Sequence, residues 1–194
     1  GMKALITALN IVYDEEETRG FIKLNAVSLL FTFCAILLGL IAISLVIAVP
    51  ILMGVLHLPD AWQAIFTYLR WPLLGFFLIV SLGLAYRFCT DRDAPKWRWV
   101  SWGSVAATLL WLAGSILFSL YVSNFGSYTK TYGSMGAVVI LLLWFFLTSY
   151  VILMGAELNA EMEHQTREDS TVGRPEPMGR REAYVADTTG ESRG

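Results

Sequence analysis

Charge is scarce in this chain. Acidic and basic side chains make up 15% of its 194 residues, against roughly 25% in an ordinary soluble domain. That shortage excludes a solvated surface around the whole molecule. Cysteine is nearly absent: Cys34 and Cys89 lie far apart. With no C-x-x-C spacing, a disulfide framework or thiolate metal site has no basis. Both thiols read as small buried hydrophobes. Histidine occurs twice, at His57 and His164, and no H-E-x-x-H, Gly-rich phosphate loop or G-x-S-x-G stands anywhere. No catalytic residue, metal site or cofactor is therefore expected, and the chain does not read as an enzyme. Strand-like alternation is lacking as well, which excludes a membrane β-barrel.

What is there is apolar sequence in long runs. Hydrophobic residues make up 56% of the chain, and several uncharged runs reach the roughly 20 residues that cross a hydrocarbon core. The expected fold is all-α: a polytopic transmembrane bundle with four spans and amphipathic interfacial helices. The spans lie at about 24–49, 72–88, 100–122 and 135–158, the first stopped near Pro50. Residues 1–23 form an amphipathic segment. There Met2, Leu5, Ile6, Leu9, Val12 and Tyr13 share one helical stripe, which lies on the membrane surface or docks on the bundle. Asp14 with Glu17 has the spacing of a capping pair opening a further turn. Asp60 follows Pro59 as an N-cap for a short aromatic-rich helix carrying Trp62, Ile65, Phe66 and Leu69. Pro72 then opens the second span as a first-turn proline. Residues 164–194 are charged, Pro/Gly-containing and aperiodic, and read as a disordered tail.

The basic residues sort by side. Twelve of the fourteen lie before the first span, between the second and third, or after the fourth; only Arg70 and Lys130 lie in the other two loops. Positive charge accumulates on the cytoplasmic side. This places the N-terminal segment, the 89–99 loop and the tail in the cytoplasm of a bacterial inner membrane, with His57 and His164 on opposite faces. Arg70 and Arg87, at span ends, can snorkel to the headgroups. Lys96, Trp97, Arg98, Trp99 and Trp102 form a basic–aromatic group suited to an interfacial anchor. The partner this implies is the lipid bilayer. Nothing points to nucleic acid, and a homo-oligomer is left open.

Two polar constellations stand out. On the cytoplasmic side, Glu157 and Asn159 in "GAELNAE" lie level with Arg19 and Lys23. The expected arrangement pairs Glu157 with Arg19 or Lys23, as a structural pair or as a gate. On the outer side, "YVSNFGSYTKTYGSMGA" makes Asn124, Tyr128, Tyr132 and Ser134 either a packed turn or a vestibule. No ionisable group stands at the centre of a span, which argues against a self-contained ion-coupled pump. The hydroxyls of Ser28, Thr32, Ser44, Ser81, Thr108, Ser115, Ser119, Thr148 and Ser149, with Asn25, either bond back to their own helices or line a path. Ser104, Thr108, Ser115 and Ser119 share one side of the third span with its small residues.

The blocks "GMKALITALNIVYDEEETRGF", "RFCTDRDAPKWRWVSWGS", "LFSLYVSNFGSYTKTYGSMGAVVILLLWFF" and "GAELNAE", in that order, resemble the YihY/BrkB family of bacterial inner-membrane proteins. The resemblance covers about residues 1–163. It implies six spans in a whole family member, so this chain is expected to lack about two N-terminal ones. The family's older ribonuclease BN label fits poorly, since the chain offers no clustered metal ligands. The resemblance leaves two functions open. One is a transporter or exporter of a small or amphipathic solute; the other is a non-transporting envelope scaffold or assembly partner.

Overall fold

The structure, a computed structural model, describes residues 1–55, 59–124, 134–166, 168–174 and 176–189; the side chains of Asp60, Gln63, Asn124 and Ser134 lie outside that description. The fold is all-α. Four helical stretches are long and apolar enough to cross a membrane: Phe21–Val55, Ala64–Phe88, Trp97–Ser123 and Met135–His164.

The first helix, α1 (Met2–Val12), buries the expected stripe: Ile6, Leu9 and Tyr13 are at most 1% exposed. It docks on the bundle, against the second helix and the last long one. Its end corrects the reading of Asp14 and Glu17 as a helix start. Asp14 sits in the left-handed region at φ 52°. The Glu15 N–H reaches back to the Asn10 carbonyl and the Asp14 N–H to that of Ile11. This is a Schellman-type C-terminus, in which a left-handed residue lets trailing N–H groups satisfy the helix's last carbonyls. The next helix, α2, begins only at Phe21 (Phe21–Ile43).

Pro50 does not stop the first span. The helix passes through a π-helical segment, Ser44–Ala48, into α3 (Val49–Val55). Proline cannot donate to the carbonyl four residues back. A wider π turn just before it shifts the bonding register and carries the helix past the missing donor. Pro72 likewise lies inside one continuous helix, α4 (Asp60–Phe88), whose N-cap is Pro59. The expected break between an interfacial helix and the second span is absent. One lost hydrogen bond does not end a helix that otherwise satisfies its own backbone, because lipid offers the backbone no other partner.

Two long helices complete the bundle, α5 (Trp97–Asn124) and α6 (Ser134–His164), followed by a single turn, α7 (Tyr184–Asp187). Packing is uneven. The α5–α6 contact is the most extensive and α4–α5 the next, whereas α2 meets α4 only lightly. Large apolar side chains on the spans are exposed, among them Leu30, Leu109, Leu117 and Phe146. In water such surfaces would associate; in hydrocarbon they need no cover.

The tail corrects its sequence reading in part. Part of it is held against the bundle end, although residues 172–174 and 176–180 are exposed. Thr171 forms an antiparallel bridge with Pro95. The Lys96 N–H donates to the Ser170 carbonyl at 2.7 Å and the Val172 N–H to that of Ala94 at 3.0 Å. Ala183, Val185 and Ala186 are buried. Asp169 accepts from Thr171 and Glu176, and Arg181 donates to the carbonyls of Glu176 and Ala186. Polar side chains acting on the chain's own turns hold an aperiodic segment in place without an amphipathic pattern.

Candidate functional site

At the basic end of the bundle, small residues bring α5 and α6 together. Gly103 and Ala107 on α5 face Gly155 and Asn159 on α6. A Cβ on Gly155 would lie 2.6 Å from the Ala107 Cβ and 2.7 Å from the Gly103 carbonyl oxygen. This is the small-xxx-small geometry of membrane helices, and it lets a polar side chain enter the neighbouring backbone. The fully buried Asn159 accepts from the Gly103 N–H at 2.7 Å and donates to the Val100 carbonyl at 3.3 Å. Tyr86 of α4 donates its hydroxyl to the Ile152 carbonyl of α6 at 2.8 Å.

Beneath this seam lies a charged layer. Arg92 and Glu163 pair at 2.8 Å, both side chains at most 1% exposed. The Tyr13 ring covers the guanidinium at 4.0 Å from its centroid, and burial raises the Tyr13 hydroxyl to about 12. Arg19 does not reach Glu157. It pairs with Glu17 at 2.6 Å and donates to the Cys89 carbonyl at 2.8 Å, with Asp91 at 3.5 Å. The Glu17 hydrogen bond raises Arg19, and the same bond is the main cause that lowers Glu17. Burial would raise Asp91, but hydrogen bonds from Thr18 and the charges of Arg19 and Lys23 outweigh it and hold the carboxyl low. Asn10 ties the layer together, donating to Glu17 at 2.9 Å and accepting from the Asp91 N–H at 3.0 Å.

The expected cluster thus divides. Asn159 is buried at the helix seam, and Arg19 belongs to a separate network with Glu17 and Asp91. Glu157 and Lys23 are exposed, and neither forms an ion pair among the described residues. The reason is rotational. Asn159 and Glu163, four apart on α6, turn inward, whereas Glu157 faces away from that stripe. Of the outer constellation, Tyr128 and Tyr132 lie outside the described residues, and Asn124 and Ser134 are known only as the ends of α5 and α6. Sequence reasoning missed Glu163, Arg92 and Asn10. The i, i+4 spacing of Asn159 and Glu163 was the signal that could have linked two of the layer's polar groups.

Several of the hydroxyls bond to their own helices. Thr32, Ser81, Thr108 and Ser115 each donate to the carbonyl four residues earlier, and Asn25 does the same. Thr148 instead accepts from the Trp111 indole at 3.3 Å. Ser104 and Thr108 are buried in helix packing, whereas Ser119 on the same side is exposed. The basic–aromatic group is divided too: Lys96 donates to the Asp169 carbonyl and Arg98 approaches Glu168 at 3.8 Å, while Trp97 and Trp102 remain exposed.

The light α2–α4 contact leaves a cavity of about 500 Å³. Val27, Leu30, Phe31, Cys34, Ala35 and Leu38 line it from α2, Ser81, Leu84, Ala85 and Phe88 from α4, and Met2 from α1. Cys34 is exposed there, against the expectation of a buried thiol; Cys89 is buried, and burial raises its thiol to about 12. The Ser81 hydroxyl is already engaged, so the wall offers almost nothing to a polar solute. Among the described residues no group of His, Cys, Asp or Glu gathers to hold a metal ion.

Comparison with known proteins accords with this architecture. Residues 1–179 match the family described as "Virulence factor BrkB". The chain is 32% identical to the ribonuclease-like protein YfkH of Bacillus subtilis (strain 168), over 82% of this chain and 59% of that protein. It is 30% identical to a UPF0761 membrane protein of Idiomarina loihiensis, over 84% of this chain and 56% of that protein. A UPF0761 membrane protein of Rhodospirillum centenum is 28% identical over 80% of this chain and 34% of its own length. The chain therefore spans little more than half, or less, of these relatives. No solved structure matches it. With the family match covering nearly the whole chain, this protein is a membrane protein of the BrkB family.

Proposed function

We propose that the protein carries an amphipathic solute across the bacterial inner membrane, admitting it from the lipid phase between α2 and α4. The single observation that supports this is the cavity of about 500 Å³ between those helices. Small-molecule sites occupy about 300–1,000 Å³ and combine apolar walls with a few polar groups. Here the walls are apolar almost throughout, and several lining residues are exposed at the lipid-facing surface. A water-soluble solute would lose its hydration there without replacement; an acyl or polyprenyl chain would lose nothing. The weak α2–α4 contact supports movement at this seam, since two helices that share little packing separate at low cost. The charge distribution supports an orientation with α1, the 89–96 loop and the tail in the cytoplasm. Nothing in the chemistry of the site calls for bond making or breaking.

The test is transbilayer movement of a fluorescent single-chain amphiphile in liposomes carrying the protein, read by its accessibility to an impermeant quencher. Faster movement than in protein-free liposomes, lost in Ala35→Trp, is the expected result. Equal rates for the wild type, the variant and empty liposomes would overturn the reading in favour of an envelope scaffold.

A further inference from the structure

Lys3 follows the lining residue Met2, and Lys23 stands one turn before the lining residue Val27; from these we infer the class of molecule that enters: an anionic phospholipid, with one acyl chain in the cavity and its phosphate on Lys23 and Lys3. This inference rests on the amphiphile reading above and narrows it. The lining residues of α2 fall at 27, 30, 31, 34, 35 and 38, one helical stripe at three- and four-residue steps. Extended back by four residues, the stripe reaches Lys23. Its ammonium therefore stands one turn beyond the apolar wall, on the face that forms it. Met2 also lines the cavity, and the next residue is Lys3, whose Nζ lies 5.4 Å from the Phe21 ring centroid at the start of α2. That contact holds Lys3 beside the first residue of α2.

Both lysines are exposed, and neither forms an ion pair among the described residues. Three other basic groups at this end are held by oxygen partners, Arg19 by Glu17, Arg92 by Glu163 and Lys96 by the Asp169 carbonyl, and Arg87 lies over the Trp97 ring at 4.6 Å from its centroid. Two exposed cations without an ion pair among the described residues, beside an apolar slot, match the charge order of an anionic lipid, with phosphate at the interface and hydrocarbon below. Lysines near a membrane surface each add to the attraction of anionic headgroups. A zwitterionic lipid has the same chain but offers its phosphate beside a cation of its own. Asp91 is the nearby carboxylate that could oppose an anion, but hydrogen bonds from Thr18 and the charge of Arg19 already occupy it.

The experiment uses the protein in lipid nanodiscs containing a trace of phosphatidylglycerol or phosphatidylcholine with a photoreactive acyl chain. Crosslinked peptides from α2 and α4 are quantified by mass spectrometry. Phosphatidylglycerol is expected to label the cavity residues at least fivefold more than phosphatidylcholine. In Lys3→Gln/Lys23→Gln the two lipids should label equally, because only the headgroup contact is removed. Both substitutions fall on exposed residues, so folding is not at risk. Ala35→Trp, with Leu84→Trp as a second filling variant, should abolish labelling by either lipid. Equal labelling of the wild type by both lipids, still blocked by Ala35→Trp, would overturn the anionic preference and leave the amphiphile reading standing. Labelling indifferent to both filling variants would overturn the two together.

Discussion

Replacing Gly103 with Ala sets two physical effects against each other. In an isolated helix, Ala is preferred to Gly by about 1 kcal/mol, so propensity alone predicts a more stable protein. The α5–α6 seam predicts the reverse. A Cβ on Gly103 would meet the Gly155 carbonyl oxygen directly and lie 2.5 Å from the Asn159 Cγ and Nδ2. Its neighbours are a backbone and a buried amide, neither of which can swing aside, so α5 and α6 must separate. Overpacking of this kind costs about 1–3 kcal/mol. Separation also strains the two Asn159 hydrogen bonds, each worth about 0.6 kcal/mol between membrane helices. After subtracting the propensity gain, a net loss of about 1–3 kcal/mol remains. For a chain of this size that is a melting-temperature fall of roughly 2–12 °C, measurable by fluorescence-detected gel filtration after heating in detergent. Two controls fix the sign. Gly75 has open space around it, and a Cβ on Gly114 would meet only the flexible Leu147 side chain at 3.4 Å; Ala at either site should be neutral or mildly stabilising. If Gly103→Ala melts at or above the wild type while the controls behave as expected, the close seam is wrong.

Other perturbations test the layer beneath. Arg92→Ala strands the buried Glu163 carboxylate and should cost about 3–5 kcal/mol, whereas Arg92→Leu/Glu163→Leu should recover most of that loss in the same melting assay. The Glu17 and Asp91 carboxyls are held below their ordinary values; their contribution is complete above the unfolded carboxyl pKa near 4 and is lost as the pH falls through the lower folded values. Asp91→Asn should therefore flatten the fall in melting temperature between about pH 5 and pH 3, and an unchanged slope would remove Asp91 from the linkage. Single cysteines placed at the exposed Asp93 and Ala61 should react with an impermeant maleimide from opposite sides of the membrane, Asp93 only after permeabilisation of the inner membrane; the opposite pattern would invert the orientation.

Much of the architecture was written in the local pattern. Runs of uncharged residues specify helices because lipid leaves the backbone no other way to satisfy its polar groups. The α1 stripe showed which face of that helix would be covered. The two prolines misled because their effect depends on surroundings: Pro50 follows a π turn and Pro72 lies within α4, where the bundle keeps the helix going. Side-chain partners were harder to read. Glu157 and Asn159 are two residues apart, and two residues on a helix turn by more than half a circle. The residue that looked charged and important faces outward, and the amide beside it holds the seam. Arg92 lies in a loop and Glu163 at the end of α6, so their pairing needed the fold to bring them together. The tail's order depends on backbone bonds to residues 93–96, which leave no periodic trace.

The distribution of packing gives the carrier reading its mechanical basis. Along α4, α5 and α6, polar insertions lock the helices: Asn159 enters the α5 backbone and Tyr86 reaches the α6 carbonyl. Removing any of these leaves a buried polar group unmatched, so relative motion there is costly. No comparable polar bridge joins α2 to α4 among the described residues, and the π segment interrupts the regular bonding of the first span. Motion requires an element with two arrangements of similar energy, and at this seam sliding breaks few directed bonds among the described residues. Joining the seam by cysteines at Ala35 and Leu84 should therefore slow amphiphile movement when oxidised and restore it when reduced, in a Cys34→Ser background. A crosslink that forms without altering the rate would mean that the cavity holds its lipid without moving it.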